Sequence, residues 1–260
     1  MPDGKALQMG TSHFLGENFS TPFDVKYLDE NNTETFSWQT SWGVSWRLIG
    51  GMIMTHGDDK GLVLPPKIAP IQVVIIPIYY SDDEKGNVIQ KANQIIDSLS
   101  KINLRVHLDD REQLTPGFKF NDWEMKGIPV RIEIGPKDVA KNQVVLVRRH
   151  TQTKTSIEMD SSSEKISLEL QNIQKEMFDA AKKILDERVV RVSEYQQFKG
   201  ELDNGKMIDC SWCGNQTCED KIKEETGADL RVITSDNAKA ETCIYCKNSS
   251  TTNVLFARGY

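Results

Sequence analysis

Four cysteines near the end of the chain stand in two close pairs, and they constrain its fold more than any other feature. Four residues separate Cys213 from Cys218, and two separate Cys243 from Cys246. Such short spacings let one turn present two thiolates, and zinc bound by sulfur takes four ligands in a tetrahedron. The pattern favours a zinc site; reduced cysteines without metal and disulfides are the alternatives. Cys210, three residues before Cys213, competes with it for the first ligand position.

The composition is that of an ordinary folded protein. With 260 residues, 38% of them hydrophobic and 27% charged, the chain can form one large domain or two small ones. Its net charge of −6 argues against a general polyanion binder, although one basic face would suffice for a nucleic acid. Residues 1–5 show no apolar signal region, and no run approaches about 18 apolar residues. We therefore expect a cytoplasmic protein without a membrane partner.

Residues 1–66 are predicted to be part of a β-rich domain. Alternating stretches at 23–27 and 35–38 indicate antiparallel strands. Because so few short strands cannot close a core of their own, we expect further upstream strands that this chain does not contain. The proline-rich segment 65–70 predicts a stiff linker.

Residues 67–160 are predicted to form an α/β domain, because strand and helix patterns alternate there. The helices between the strands predict a mixed, largely parallel sheet. The predicted elements are strands at 72–78, 104–108, 130–134 and 143–149, and helices at 88–99 and 118–126.

Residues 161–260 are predicted to form a long helix followed by a small α+β domain that carries the cysteines. Ser161 and Glu164 have the spacing of a capping box at the start of that helix. The expected fold class is therefore multidomain, combining α/β and α+β parts. The apolar face of the helix is predicted to consist of Ile166, Leu170, Ile173, Met177 and Ile184.

Two segments of the first region carry binding chemistry. Residues 8–16 (QMGTSHFLG) collect small residues, hydroxyls, an amide and an imidazole, as either a polar pocket or a plain surface loop would. Residues 41–51 place a lone arginine, Arg47, at the start of an apolar, glycine-rich helix. Its guanidinium could contact the phosphates and purine of a nucleotide, or pair with a nearby carboxylate.

Together these segments resemble the prolyl-tRNA synthetases, in the branch that carries a C-terminal zinc domain. Residues 8–18 are similar to the proline-pocket loop, 41–66 to class II motif 3, 109–138 to the anticodon-binding domain, and 213–260 to the zinc-bearing tail. Residues 1–66 would then be the end of a class II catalytic domain, built on an antiparallel sheet. Class II motifs 1 and 2 have no counterpart, so the chain resembles only the C-terminal portion of the family. Trp46 is also bulkier than the threonine expected there.

The resemblance implies a site for ATP and L-proline. Adenylate formation depends on positioning and on neutralising charge with Mg²⁺ and arginines, so no general acid or base is expected. The implied ATP contacts are Gln8, Thr11, Ser45 and Arg47, with Gln8 also near magnesium. The implied proline contacts are His13, Ser41, Trp42 and Gly43.

The resemblance also implies a tRNA site, a structural metal and a docked terminus. Guanines of the anticodon would be read by carboxylates and basic groups, with Phe118, Phe120 and Trp123 nearby for stacking. Helix periodicity favours the alternative that Trp123 and Phe120 are part of the core. Zinc would be held by Cys213, Cys218, Cys243 and Cys246. The carboxylate of Tyr260 would be directed towards the active site, unless the terminus frays. The implied anticodon contacts are Glu124, Arg131, Lys137 and Asp138.

The implied function is an ATP-dependent proline–tRNA ligase that acts in translation and is a homodimer as a complete protein. This chain alone is expected to be inactive, because it lacks motifs 1 and 2. The alternative is a non-catalytic RNA-binding module that retains the anticodon domain and the zinc tail. The presence of Gln8, Thr11, His13 and Arg47 favours the enzyme.

Overall fold

The structure is a computed structural model that describes residues 1–260. Its contacts group the chain into two compact units: Met1–Met52 together with Arg188–Tyr260, and Ile53–Glu187. The three domains predicted from the sequence, at 1–66, 67–160 and 161–260, stay a prediction. No helix combines the length and the apolar character that crossing a membrane requires.

Short antiparallel strands and one helix make up the beginning of the chain. The predicted antiparallel pairing is present, since β1 pairs with β4 and β2 pairs with β3. The strand expected at 23–27 begins only at Lys26, because Asp24 has a φ of 52° that an extended strand cannot contain. The elements are β1 (Gly10–Gly16), β2 (Lys26–Leu28), β3 (Glu34–Phe36), β4 (Gln39–Val44) and α1 (Arg47–His56).

A five-stranded sheet flanked by helices organises residues 53–187. Its elements are β5 (Val73–Pro77), α2 (Asp82–Lys101), β6 (Val106–Leu108), α3 (Pro116–Met125), β7 (Val130–Ile134), α4 (Pro136–Ala140), β8 (Gln143–Arg148), β9 (Lys154–Glu158) and α5 (Ser162–Arg188). The strand order is β6-β5-β7-β8-β9. Local signals set the helix starts: Ser81 accepts a hydrogen bond from the Glu84 N–H at α2, and Thr115 accepts one from Phe118 at α3.

The sheet is mixed, as predicted, but it is not largely parallel. β5 is parallel to both β6 and β7, whereas β8 is antiparallel to both β7 and β9. The connection from Ile134 to Gln143 contains only the short helix α4. A parallel return needs a crossover of a dozen or more residues, so this short connection forces β8 to run antiparallel.

The core of this unit lies on both faces of the sheet. On one face, the β-strand side chains pack with α2 and α5; on the other, Val74 and Ile76 pack with Trp123 and Ile128. The residues predicted for the α5 core face are buried, except for Ile184, which is 47% exposed. The helix begins directly after Ser161, but the Ser161 hydroxyl makes no hydrogen bond within the chain. The predicted capping box with Glu164 is therefore wrong.

A second, four-stranded sheet forms the last part of the chain in the order β10-β11-β15-β12. β10 is parallel to β11, and the other pairs are antiparallel. Phe198, Ile208, Ile222 and Phe256 are its largest fully buried side chains. The elements are β10 (Val189–Arg191), α6 (Tyr195–Asp203), β11 (Met207–Trp212), α7 (Gln216–Thr226), β12 (Ala228–Ser235), β13 (Glu241–Thr242), β14 (Ser249–Ser250) and β15 (Thr252–Arg258).

A buried carboxylate, Asp109, holds α3 against the end of β6. It accepts hydrogen bonds from Arg111 at 2.8 and 2.7 Å and from the Trp123 indole at 2.7 Å, and the Lys119 ammonium donates to its carbonyl at 3.0 Å. Burial would raise the pKa of Asp109, but the hydrogen bonds from Arg111 and Trp123 bring it well below the usual range. Its stabilising effect is therefore present above the unfolded-state pKa of about 3.9 and lost as the pH falls towards the folded-state value.

We predict that Asp109→Asn lowers the free energy of unfolding of this unit by about 3 kcal/mol at pH 7, because Arg111 and Lys119 lose a buried counter-charge. Hydrogen-exchange protection of the β5 and β7 amides measures the change for this unit specifically. The control is Asp110→Asn at the neighbouring, exposed position, which should alter the value by less than about 0.5 kcal/mol. Equal effects of the two substitutions would contradict the assigned role of Asp109.

Candidate functional site

The β1–β4 ladder builds one cleft from the two polar segments of the sequence. Its register places Thr11 opposite Gly43 and His13 opposite Ser41. The cleft has a volume of about 340 Å³, and it contains every residue expected to contact ATP or proline. Its lining residues are Gln8, Met9, Gly10, Thr11, His13, Ser41, Trp42, Gly43, Val44, Ser45 and Arg47.

Arg47 is the first residue of α1, and its guanidinium makes no hydrogen bond or ion pair with the chain. Each of the other arginines hydrogen-bonds within the protein. The carboxylate partner considered as an alternative for Arg47 is therefore absent. A guanidinium left without a partner at the edge of a polar cleft is suited to bind an anion from outside the chain.

Gln8 is oriented by a hydrogen bond across the turn of the cleft. Its amide N–H donates to the Thr11 hydroxyl at 2.9 Å. The amide oxygen of Gln8 is therefore the atom left to accept a bond or to face a cation. Gly10 lies so close to the opposite strand that an added Cβ would be 3.1 Å from the Gly43 carbonyl oxygen, so a larger residue there would require a small shift of the neighbouring backbone.

The structure separates the four predicted anticodon residues into two pairs. Glu124 and Arg131 line one small cavity beside Trp123. Lys137 and Asp138 lie beyond the opposite end of β7, which is about 10 Å of strand further on. The four residues thus form two separate pairs, each with one acidic and one basic side chain, rather than one cluster.

Most of these four side chains already have partners. The Arg131 guanidinium donates to Glu133 at 2.9 Å and lies 4.5 Å from the centroid of the Phe120 ring. Glu124 pairs with Lys60 at 3.0 Å, and Asp138 accepts the Gly135 N–H at 2.9 Å.

The three aromatic residues of this neighbourhood differ in exposure. Trp123 is buried in the core, Phe120 is partly buried and Phe118 is 54% exposed. Helical periodicity favours the core for both Trp123 and Phe120. The burial of Trp123 confirms this for the tryptophan, whereas Phe120 packs against the same cluster but is only partly buried.

The four paired cysteines converge, and Cys210 does not join them. Their Sγ atoms all lie within 4.8 Å of one another, with 3.7 Å from Cys213 to Cys218 and 3.6 Å from Cys213 to Cys246. All five cysteines are free thiols, so the disulfide alternative is not observed. Cys210 is fully buried in the apolar core of the second sheet, and this burial raises the pKa of its thiol to about 12.

Two local structures present the thiols. Cys213 follows the end of β11, Gly214 turns the chain with a φ of 79°, and Cys218 lies in the first turn of α7 after the Asn215 cap. Cys243 follows β13, and the chain turns back at Lys247, which has a φ of 64°. Each pair is therefore held by its own turn, as the spacing predicted.

The geometry and charge of this cluster fit a divalent metal. Tetrahedral zinc with bonds of about 2.3 Å places its sulfurs about 3.8 Å apart, close to the separations found here. Burial raises the pKa values of Cys213 and Cys218, whereas the Asn248 N–H lowers the pKa of Cys246 to about 7. A bound cation would supply the charge that ionises the buried thiols.

The C-terminal residue is tied to the beginning of the chain. The Ala6 N–H donates to the Arg258 carbonyl at 2.8 Å, and the Tyr260 N–H donates to the Ala6 carbonyl at 3.1 Å. The Lys5 ammonium lies 5.1 Å from the centroid of the Tyr260 ring, and the nearby Asp3 carboxylate raises the pKa of the Tyr260 hydroxyl. Ala6 is two residues before Gln8, so the terminus is attached next to the segment that enters the cleft. No spacing or periodicity in residues 1–7 indicated this contact.

Comparisons with known proteins agree with these observations. A family model for the C-terminal part of prolyl-tRNA synthetase matches residues 195–260, and one for an anticodon-binding domain matches residues 72–169. The whole chain is 54% identical over 260 residues to a proline–tRNA ligase of Cenarchaeum symbiosum, covering 54% of that protein. It is 45% identical over 263 residues to a proline–tRNA ligase of Natranaerobius thermophilus, covering 54%, and 45% identical over 267 residues to the chloroplastic/mitochondrial proline–tRNA ligase of Arabidopsis thaliana, covering 49%. The chain thus spans about half the length of the curated relatives it matches.

We predict that Ala6→Pro releases the terminus, because proline lacks the N–H that donates to Arg258. Carboxypeptidase A, which removes aromatic C-terminal residues, should then liberate Tyr260 several-fold faster than from the unmodified chain, since the bound terminus must open before cleavage. Ala6→Ser keeps the N–H and should leave the rate unchanged. A rate unaffected by Ala6→Pro would show that these hydrogen bonds do not restrain the terminus.

Proposed function

Similarity along the whole chain relates it to the proline–tRNA ligases, and from this we propose that it is the C-terminal portion of a prolyl-tRNA synthetase. The complete protein would be an aminoacyl-tRNA ligase that activates L-proline with ATP and transfers it to tRNA(Pro). The complete protein would also be a homodimer. Class II motifs 1 and 2 do not occur in this chain, so the chain alone would not catalyse the reaction.

The observation that carries this proposal is the cleft of the β1–β4 ladder. It joins the proposed ATP residues Gln8, Thr11 and Ser45 with the unpaired guanidinium of Arg47. His13, Ser41, Trp42 and Gly43 line the same cleft and would form the proline pocket. One cleft therefore brings the proposed nucleotide contacts and the proposed proline contacts side by side.

The chemistry proposed for this cleft is positioning. Arg47 would hold the nucleotide and offset the negative charge that grows on the phosphates as the proline carboxylate attacks the α-phosphorus. The free amide oxygen of Gln8 fits a magnesium ion or its bound water, and that ion, when bound, would polarise the phosphates. His13 would shape the proline pocket rather than transfer a proton.

Exposed apolar side chains around the cleft support the view that this chain is a portion of a larger protein. Phe14, Trp42 and Trp46 are 72%, 80% and 86% exposed. Large aromatic side chains exposed to this extent commonly mark a surface that contacts another part of a protein. The part of the relatives that this chain does not match would cover these side chains.

The Glu124–Arg131 pair and the Lys137–Asp138 pair would read two bases of the anticodon. The Watson–Crick edge of guanine has N–H groups that could donate to Glu124 or Asp138. It also has a carbonyl oxygen that could accept from Arg131 or Lys137. The two pairs are separated by part of β7, and this separation suits two neighbouring bases that are splayed apart. The exposed Phe118 ring is available for stacking.

Zinc would be held by Cys213, Cys218, Cys243 and Cys246 in a structural role. Four thiolates leave no open position for water or substrate, so this metal would take no part in the chemistry. Instead it would fix the sheet whose last strand, β15, ends two residues before Tyr260. The bound terminus supports a role for its carboxylate near the aminoacylation site.

We predict that Arg47→Ala in the complete protein lowers kcat/KM for proline-dependent ATP–pyrophosphate exchange by about 100- to 1,000-fold, as expected for the loss of an electrostatic donor. Trp46→Thr is the neighbouring control. It introduces the residue expected in the family and leaves the Arg47 guanidinium in place, so it should alter the rate by less than about threefold. An unchanged rate in Arg47→Ala would remove this residue from the site.

We predict that this chain binds tRNA(Pro) more tightly than a tRNA(Pro) whose anticodon guanines are replaced by adenines. Lys137→Ala and Glu124→Gln should each reduce that preference by about 1–3 kcal/mol, measured by filter binding at fixed salt. Lys141→Ala removes a charge at the other end of α4 and should leave the preference unchanged. Equal binding of both tRNAs by the unmodified chain would refute the anticodon assignment, whereas RNA binding without activity of the complete protein would favour the non-catalytic module.

A further inference from the structure

One carboxylate outside the cysteine cluster gathers three donors and holds the turn of the second cysteine pair. Glu225, in the last turn of α7, accepts hydrogen bonds from the Lys199 ammonium at 2.6 Å, the Tyr245 hydroxyl at 2.9 Å and the Tyr195 hydroxyl at 3.1 Å. Tyr245 is the residue directly before Cys246. A side chain on α7 is therefore bonded to the turn that presents Cys243 and Cys246.

Aromatic packing restricts the same turn. The Tyr195 and Tyr245 rings meet edge to face with centroids 5.1 Å apart, and Tyr195 packs on the buried Phe198 at 5.6 Å. Lys199 lies over the Tyr195 ring at 4.7 Å while it pairs with Glu225. The Lys199 ammonium and the two tyrosine hydroxyls thus donate hydrogen bonds to the carboxylate. Together with the ring packing, these bonds fix the orientation of the Tyr245 side chain relative to its turn.

The helix that carries Glu225 also carries one of the four thiols. Cys218 lies in the first turn of α7 and Glu225 seven residues later, about 10 Å along the helix axis. One rigid element therefore holds Cys218 at one end and, through Tyr245, the opposite cysteine pair at the other. The separation of the two pairs is set by contacts that need no metal.

We propose that Glu225 is a positioning residue for the four-thiolate site, acting through the Tyr245 hydroxyl to keep the two cysteine pairs at metal-binding distance. The inference rests on the proposed zinc site. Groups that orient metal ligands from outside typically change metal affinity 10- to 100-fold when they are removed. The main consequence is slow release of the metal, because a thiolate on a turn that is held in place stays near the metal and can bind it again.

The test measures zinc per chain and the rate at which a chromogenic chelator, 4-(2-pyridylazo)resorcinol, removes it. The unmodified chain should hold about one zinc, and Cys213→Ser should lose it while Cys210→Ser retains it. Glu225→Ala should release zinc 10- to 100-fold faster. Glu225→Gln keeps an oxygen that can accept a hydrogen bond from Tyr245. Its zinc release rate should lie between those of the unmodified chain and Glu225→Ala. Glu224→Ala removes an adjacent, exposed charge and should change the rate by less than about twofold.

Two further variants separate positioning from a general loss of stability. Tyr245→Phe keeps the ring packing but deletes the hydroxyl, so it should accelerate release, and combining it with Glu225→Ala should add little. Tyr195→Phe deletes the other hydroxyl on the same carboxylate and should have the smaller effect, since Tyr195 is outside the cysteine turns.

The outcomes distinguish this inference from the proposal beneath it. An unmodified chain without zinc would refute the zinc site itself. A chain that holds zinc, but releases it at the same rate after Glu225→Ala or Tyr245→Phe, would overturn the role of Glu225 and leave the zinc site intact.

Discussion

Backbone pairing by β15 is the interaction on which the first compact unit depends. β15 hydrogen-bonds to β11 on one side and to β12 on the other, so it joins both halves of the four-stranded sheet. The residues after it continue into the pairing with Ala6. Because Ala6 lies just before Gln8, the same run of backbone connects the cysteine-bearing sheet with the segment that enters the cleft. A metal that stabilises this sheet would therefore also stabilise the attachment of the terminus.

Charge is used differently in the two compact units. In the α/β unit, Asp109 is buried with its partners, and its role is to lock α3 onto the sheet. In the cleft, by contrast, Arg47 remains without a partner in a chain whose other arginines are all hydrogen-bonded. A satisfied buried charge holds structure together, whereas an unsatisfied one at a cleft is free to bind. This contrast, more than the shape of the cleft, is what points to an anionic ligand.

The proposed metal site and the proposed base-reading site both depend on a rigid element that positions their binding groups. α7 holds Cys218 and, through Glu225, the turn of the other cysteine pair. β7 sets the separation between Arg131 at its start and Lys137 beyond its end. In both cases the spacing of the binding groups is fixed by a helix or strand rather than by a flexible loop.

The sequence by itself determined the features that depend on neighbouring residues. Cysteine spacing indicated two thiol-presenting turns, and the two polar segments identified the residues that line the cleft. Periodicity located β5 to β8, α2, α3 and α5 in the α/β unit, but not the short elements α4 and β9. Features that depend on distant residues required the tertiary structure. They are the position of Cys213 rather than Cys210 in the cysteine cluster and the antiparallel direction of β8. They also include the absence of a hydrogen bond to the Ser161 hydroxyl and the hydrogen bond from Tyr245 to Glu225. The reason is physical. Spacing along the chain limits which groups a single turn can present, but burial and hydrogen-bond partners are decided by residues brought together only when the chain packs.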